Sequence, residues 1–180
     1  MISKSALEII GKATALAAFL FTVATFSYDQ YQKRQGARYA AAIDLIERYR
    51  TDGVRDAETG LVQRMLYYRQ DGLDPNDPAQ MPDRIAEVMA QNILFGYTGD
   101  PDAPTTPYLP QVFVIVDFYS EVAFCRENVI CNTDILDRFF CPRASAYREE
   151  NARLLDYYAN YASAEGWTDD LDRFLMHCTG

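Results

Sequence analysis

The most prominent feature of the hydrophobic pattern is an uninterrupted apolar run near the N-terminus. No residue from Ala13 to Tyr28 has a carboxylate or a basic side chain, and the apolar positions in this run cover every face of a helix. Such a helix has to be buried in protein or in lipid. Extension back through Ile9 and Ile10 gives about 20 residues, close to the length that spans a hydrocarbon core of about 30 Å. The pattern predicts a single transmembrane helix whose span includes Ala13, Leu16, Phe19, Leu20, Phe21, Val23 and Phe26.

Two alternatives to a retained membrane anchor remain open. A secretory signal has a basic start and a similar apolar stretch, but no small-x-small cleavage site follows this run. A buried core helix would usually be shorter and more amphipathic. Lys33, Arg34 and Arg38 follow the run, while Lys4 and Lys12 precede it, so the positive-inside rule slightly favours a cytoplasmic over a periplasmic soluble domain.

Downstream of the run, apolar residues recur at helical spacing between charged residues. Tyr39, Ala42, Ile46 and Tyr49 share one face, and no strong helix breaker separates them from the apolar run except Gly36. One long helix is therefore expected to run to about Thr51, with Asp52-Gly53 as its stop. Further helices are expected around residues 61–68, 85–94, 109–126, 133–140, 147–161 and 171–177.

For two of these helices, local sequence signals allow more than one interpretation. The branched residues Val112 to Val116 are also typical of a strand, but the spacing continues at three and four residues beyond them, which favours a buried helix. Asn132 or Thr133 is the expected N-cap of the next helix, and Pro142 is expected to end or kink it. The fold class is therefore all-α, with an N-terminal transmembrane helix before a compact helical domain.

The same pattern divides the chain into two parts. Residues 1–31 form the expected membrane anchor, and residues 32–180 form a helical domain with irregular loops near 71–82 and 96–110, where prolines and aspartates are concentrated. The chain as a whole carries a formal charge of −9, but residues 29–180 hold 15 basic and 25 acidic side chains, or −10. This acidic excess opposes binding to phosphates, so we expect no nucleic-acid partner.

The four cysteines are the main candidates for covalent chemistry. In an oxidising compartment the least strained disulfide pairing joins Cys125 to Cys131 and Cys141 to Cys178, because Cys131 and Cys141 would lie about 15 Å apart along one helix. In a reducing compartment the same residues are small buried apolar groups. The pairwise cysteine spacing of structural zinc sites is missing, so no metal ligand is expected.

No other pattern indicates an enzyme. His177 is the only histidine, and its place close to the C-terminal end of the chain argues against a nucleophile–histidine pair. Asp117 with Glu121, and Asp134 with Asp137, are spaced about one turn apart, but they lack the Glu-x-x-His motif of di-metal bundles. We interpret them as solvated acids or partners of arginines. No catalytic residue, cofactor or metal is therefore expected.

The order of these elements resembles a bacterial family known as domain of unknown function 4760. The resemblance is carried by the apolar N-terminus, the helix at residues 42–49, and above all by residues 116–124 followed by residues 132–140. It implies a membrane-anchored helical domain and supplies no catalytic residue. Cys125, Cys131 and Cys141 depart from the family pattern.

These observations lead to a functional expectation with two alternatives. The first is a single-pass protein of the bacterial inner membrane, whose helical domain is a non-catalytic accessory subunit and whose partners are the lipid bilayer and other membrane-complex subunits. The second is a secreted or periplasmic helical domain stabilised by disulfides. The third is an enzyme with an unrecognised acid or cysteine site.

Overall fold

Helices account for the regular structure throughout the described chain. The computed structural model describes residues 4–70, 83–96, 106–164 and 166–178; the side chains of residues 4–11, 13, 67–70 and 83–85 lie outside that description. Within these ranges there are seven helices and no strand, so the all-α prediction is confirmed. The helices are α1 Lys4–Thr51, α2 Val54–Gln70, α3 Asp83–Phe95, α4 Leu109–Glu127, α5 Thr133–Glu150, α6 Ala152–Tyr161 and α7 Asp169–Met176.

The predicted membrane span is wrong. Among the helices in the described part of the chain, none combines the length and the apolarity needed to cross a bilayer. The physical reason is the short apolar run: Ala13 to Phe26 extends only about 21 Å, and polar residues follow it at Ser27 and Asp29. The extension through Ile9 and Ile10 falls on side chains outside the description. The interpretation as a single-pass protein of the inner membrane is corrected accordingly.

Helix α1 is continuous across the boundary that we expected at residue 31. It ends at Thr51, where the expected Asp52-Gly53 stop follows and Gly53 takes a positive φ of 82°. The positive φ is readily reached without a Cβ, which explains why the helix ends here. The apolar run and the amphipathic stretch after it are therefore two parts of a single helix about 72 Å long.

Helix α4 is the centre of the packed domain. It contacts α2, α3, α5 and α7. Val112, Ile115, Tyr119 and Val122 are all fully buried, and their spacing of three or four residues places them on one helical face. The observed helix excludes the alternative strand at residues 112–116.

Tyr108 joins three helices at the start of α4. Its backbone N–H donates to the carbonyl of Ile93 in α3 at 3.1 Å, and its hydroxyl donates to the carbonyl of Ala57 in α2 at 2.7 Å. Gly60 makes this contact possible, because a Cβ there would clash with the Tyr108 hydroxyl oxygen. The Arg64 guanidinium lies over the ring, 4.6 Å from its centre.

Pro142 does not end α5, which continues beyond it to Glu150. A proline removes one backbone hydrogen bond, but Phe140 and Ala144 on either side are fully buried and hold the helix against the core. The break comes instead at Asn151, so the single helix expected over residues 147–161 is divided between α5 and α6. The Asn132 cap is confirmed, since its side chain accepts from the N–H of Ile135 at 3.1 Å.

The expected irregular loops lie mainly outside the described residues. This is true of all of residues 71–82 and of residues 97–105. Within the second expected loop, Leu109 and Pro110 belong to the first turn of α4, where a proline is well tolerated because its missing N–H is not needed.

Candidate functional sites

The first candidate site is the apolar part of α1, which lies outside the packed domain. Every described residue from Thr14 to Asp29 is exposed, and we call this stretch the projecting segment. Its large apolar side chains include Phe19, Phe21 and Phe26, which are 64%, 71% and 63% exposed. The remaining large ones are Leu16, Leu20 and Val23. Large exposed apolar patches are uncommon on monomeric proteins, which makes the projecting segment a candidate interaction site.

Two threonine hydroxyls of the projecting segment form hydrogen bonds within the helix. The Thr22 hydroxyl donates to the carbonyl of Ala18 at 2.9 Å, and the Thr25 hydroxyl donates to the carbonyl of Phe21 at the same distance. Both hydroxyls are thereby satisfied within the helix, which leaves their methyl groups as contact surface. The end of the apolar surface is marked by the ion pair between Lys33 and Asp29, one turn apart at 2.7 Å.

The C-terminal part of α1 holds the projecting segment to the domain. Ala42, Leu45 and Tyr49 are buried on one face. The backbone N–H of Asn132 donates to the carbonyl of Arg38 at 3.0 Å, and Arg48 makes an ion pair with Glu121 of α4 at 2.7 Å. The hydrogen bond and the charge of Glu121 raise the pKa of Arg48, although burial opposes them.

All four cysteines are in disulfides. Cys125 is joined to Cys131 across the turn between α4 and α5, and Cys141 of α5 is joined to Cys178 after α7, each with a Cα–Cα distance of 5.4 Å. These are the two pairs that the sequence favours for an oxidising compartment. With no free thiol, none of the four sulfurs in this state is a nucleophile or a thiolate ligand.

In each of the two acid pairs on α4 and α5, one acid binds an arginine and the other is exposed. Asp137 accepts two hydrogen bonds from Arg126, at 2.8 and 3.0 Å, and Glu121 is paired with Arg48. Asp117 and Asp134 are exposed. In the described part of the chain, no three histidine, cysteine or acidic side chains come together in a way that could hold a metal ion.

A second candidate site, which no sequence pattern indicates, surrounds Glu58 in α2. The Tyr49 hydroxyl of α1 donates to one carboxylate oxygen at 2.5 Å, and the Tyr119 hydroxyl of α4 donates to the other at 2.8 Å. Three helices therefore meet at one carboxylate. Sequence separations of 9 and 61 residues give no signal for this cluster, because only tertiary packing brings the three side chains together.

Burial dominates the electrostatics of this cluster. Desolvation raises the pKa of Glu58 above its usual value, although the two tyrosine hydrogen bonds and the Arg143 charge act in the opposite direction. Desolvation, together with the neighbouring carboxylate, also raises the pKa of Tyr49 and Tyr119. Both phenols therefore remain protonated and continue to act as donors at physiological pH.

A cleft of about 290 Å³ opens beside Glu58, between α2 and α5. Its lining includes two buried residues with unpartnered polar atoms, the hydroxyl of Tyr147 and the side-chain oxygen of Asn151. The Asn151 amide nitrogen already donates to the carbonyl of Tyr147 at 2.8 Å. Buried polar atoms without a partner are uncommon in native structures, and both of these atoms are closed off from solvent behind the wall of the cleft.

The comparisons with known proteins leave the family of the chain undetermined. No family model, no curated protein and no solved structure matches this sequence.

Proposed function

We propose that this protein is a non-catalytic helical interaction module whose projecting segment docks against the apolar helical face of a different protein in a larger complex. The single observation that carries this proposal is the exposure of six large apolar side chains on the projecting segment. Interface cores are enriched in aromatic residues, and Phe19, Phe21 and Phe26 supply three of them.

The charge of the chain favours a different protein over a second copy as the partner. Residues 29–180 carry a net charge of −10, so self-association in parallel would bring two strongly acidic domains together. A partner with basic residues beside its apolar face complements both parts of the molecule, since it neutralises the acidic domain while it covers the projecting segment.

The test begins with a photo-crosslinking amino acid at position 21 in the native host. Position 161 is the matched control, because Tyr161 is 62% exposed and Phe21 is 71% exposed, but Tyr161 belongs to the packed domain. A partner that crosslinks at position 21 and not at position 161 is then purified, and its affinity for the full chain is measured. We expect Phe21→Ser to weaken this binding roughly tenfold or more and Tyr161→Ser to leave it unchanged.

Three results would contradict the proposal. The first is crosslinking at position 21 only to another copy of the chain. The second is tight binding of the full chain to phospholipid vesicles that is lost in Phe21→Ser, with no protein partner. The third is an equal loss of partner binding in Phe21→Ser and Tyr161→Ser.

The two disulfides favour a second candidate, a disulfide-stabilised helical domain that works in an oxidising compartment. This candidate concerns location and is compatible with the interaction module. Alkylation of native protein under denaturing conditions, followed by mass spectrometry, tests it. Unmodified cysteines would support the oxidising compartment, and four alkylated cysteines would contradict it.

A further inference from the structure

We infer that the turn between α4 and α5 is a second contact surface for the protein that covers the projecting segment. This inference rests on the proposed function and deepens it, because it places two surfaces side by side under one partner. Its evidence lies in the direction of α4, the exposed apolar residues of the turn and the strained backbone of Val129.

Helices α1 and α4 run in opposite directions along their contact. Arg48 of α1 is paired with Glu121 of α4, and further out along α1 the carbonyl of Arg38 accepts from the N–H of Asn132, just after the turn. Residue numbers therefore fall along α1 as they rise along α4. The turn that follows α4 thus lies on the side of the domain from which the projecting segment emerges. That segment ends at Asp29, about 14 Å beyond Arg38 along the helix axis.

The side of α1 that faces the turn continues outward as apolar surface. Leu20 precedes Arg38 by 18 residues, or about five helical turns, and Tyr31 precedes it by seven residues. Both therefore lie on the same side of α1 as Arg38, and both are 58% exposed. A protein that covers this side of α1 meets the turn at its inner end.

The end of α4 and the turn after it expose three large apolar side chains. Phe124, Val129 and Ile130 are 61%, 48% and 46% exposed, and we call them the turn surface. The N–H of Ile130 donates to the carbonyl of Cys125 at 3.0 Å, and the disulfide from Cys125 to Cys131 closes the same turn. The turn surface therefore stands on a covalently closed frame, which reduces the entropy lost when a partner binds.

Val129 has a backbone conformation that valine rarely adopts. Its φ of 54° lies in the left-handed region, where a β-branched residue is strained. The N–H of Val129 donates to the carbonyl of Arg126, and together with the bond from Ile130 to Cys125 this forms a Schellman motif, in which glycine or asparagine is usual at this position. Strained residues cluster at functional sites. A half-exposed valine here lowers stability and gains little from packing, which indicates that its side chain serves binding.

The charges beside the turn surface suit the partner proposed for the projecting segment. A groove of about 420 Å³ between α1 and α4 begins at Phe124, and its lining includes Asp44, Arg48 and Glu121. The Arg48 guanidinium is engaged by Glu121 at 2.7 Å and by Asp52 at 3.4 Å, while Asp44 is an exposed acid. A partner with basic residues beside its apolar face complements this groove.

The basic residues of α1 lie further out than the groove. Lys33 is neutralised by its ion pair with Asp29. Arg38 and Arg34 precede Asp44 by six and ten residues, or about 9 and 15 Å along the helix axis. Salt screens exposed charges beyond about 8 Å at physiological ionic strength. These cations therefore do not prevent a basic side chain of the partner from binding at the groove.

The test uses the full-length oxidised chain and the partner captured by photo-crosslinking at position 21. Val129→Asn removes apolar surface and suits the left-handed backbone, so we expect a higher urea midpoint of unfolding together with binding weakened about fivefold. Loss of a merely structural residue would lower stability and binding together. Ile130→Ser is the second turn variant and should weaken binding by a similar factor.

Val88→Asn is the matched control. Val88 is 51% exposed but lies on α3, which meets the chain at Tyr108, at the end of α4 opposite to the turn. This variant should leave partner binding unchanged. A photo-crosslinking residue at position 130 should capture the same partner as one at position 21, whereas one at position 88 should not.

The outcomes separate this inference from the proposed function. Unchanged affinity in both turn variants, while Phe21→Ser still weakens binding, would overturn the inference and leave the proposed function standing. An equal loss of binding in Val88→Asn would do the same, as would crosslinking at position 130 to a second copy, to lipid or to a different protein. Failure to capture any protein at position 21 would overturn both.

Discussion

The two parts of helix α1 make the same kind of backbone structure but have opposite surroundings. In the projecting segment, Phe19 and Phe21 are exposed, whereas Leu45 and Tyr49 near the end of the same helix are buried among other helices. Local hydrogen bonds form the helix in both parts. Only the second part gains free energy from packing, which is the main source of helix stability in proteins. The projecting segment should therefore contribute to binding and little to the stability of the chain.

The largest expected effect contrasts two phenylalanines. Phe140 is fully buried, so Phe140→Ala should lower the free energy of unfolding by about 3–5 kcal/mol. Phe21→Ala should change it by less than about 0.5 kcal/mol, because Phe21 lies in the projecting segment. Urea unfolding of the full oxidised chain measures both values. Similar losses in the two variants would show that the projecting segment is packed in solution.

Replacement of each disulfide should change the stability of the packed domain without affecting the projecting segment. Cys141 and Cys178 are 37 residues apart, and Cys125 and Cys131 are 6 residues apart. Loop entropy gives a loss of about 4 kcal/mol for replacement of the first pair by alanine and about 2 kcal/mol for the second. Thermal unfolding of the two double variants measures the difference. A greater loss for the short loop would contradict this account, because other contributions would then outweigh loop entropy.

Two glycines extend the contrast, since Gly60 lies in the packed domain and Gly36 lies at an exposed position of α1. Gly60→Ala should destabilise the domain by about 1–3 kcal/mol, because the new Cβ would clash with the Tyr108 hydroxyl oxygen. Gly36→Ala meets nothing within 4 Å and should stabilise α1 by up to about 1 kcal/mol through helix propensity. Chemical denaturation followed by circular dichroism measures both. A stabilising Gly60→Ala would contradict the packing described at Tyr108.

The smallest expected effect is a pH dependence from Glu58. Its folded-state pKa is raised by burial, so its contribution to stability is fully present below the unfolded pKa and is lost as the pH rises through the folded value. Wild type should therefore lose stability relative to Glu58→Gln as the pH rises from about 4 to 8. Parallel denaturation series over this range measure the difference. A constant difference, or one of opposite sign, would contradict the raised pKa.

Much of the helical order could be predicted because local signals specify it. The end of α1 near Thr51 follows from the glycine after it, and the start of α5 follows from the Asn132 side chain, which caps the helix. The continuation of α5 through Pro142 could not be predicted locally, because tertiary burial of its neighbours outweighs the lost hydrogen bond.

The candidate sites also differ in how far the sequence alone could predict them. The apolar run is evident from the sequence, but its extension to about 20 residues predicts a membrane span, which the described helices do not support. The cysteine pairs could be proposed from helix geometry, since residues of one helix lie too far apart to be joined. The Glu58 cluster was not predictable, because its partners come from three helices and neither Glu58 nor its tyrosines form a local motif.

Because α1 is continuous, the projecting segment and the packed part of the helix form a single rod. About 45 Å of unbroken helix separates Phe19 from Tyr49. Gly36 is the softest link in this rod, because glycine is a weak helix former. The Tyr49 hydroxyl near the inner end of the rod donates to the Glu58 carboxylate, which lines the cleft between α2 and α5. The two candidate sites therefore share a single secondary-structure element, although they lie far apart in space.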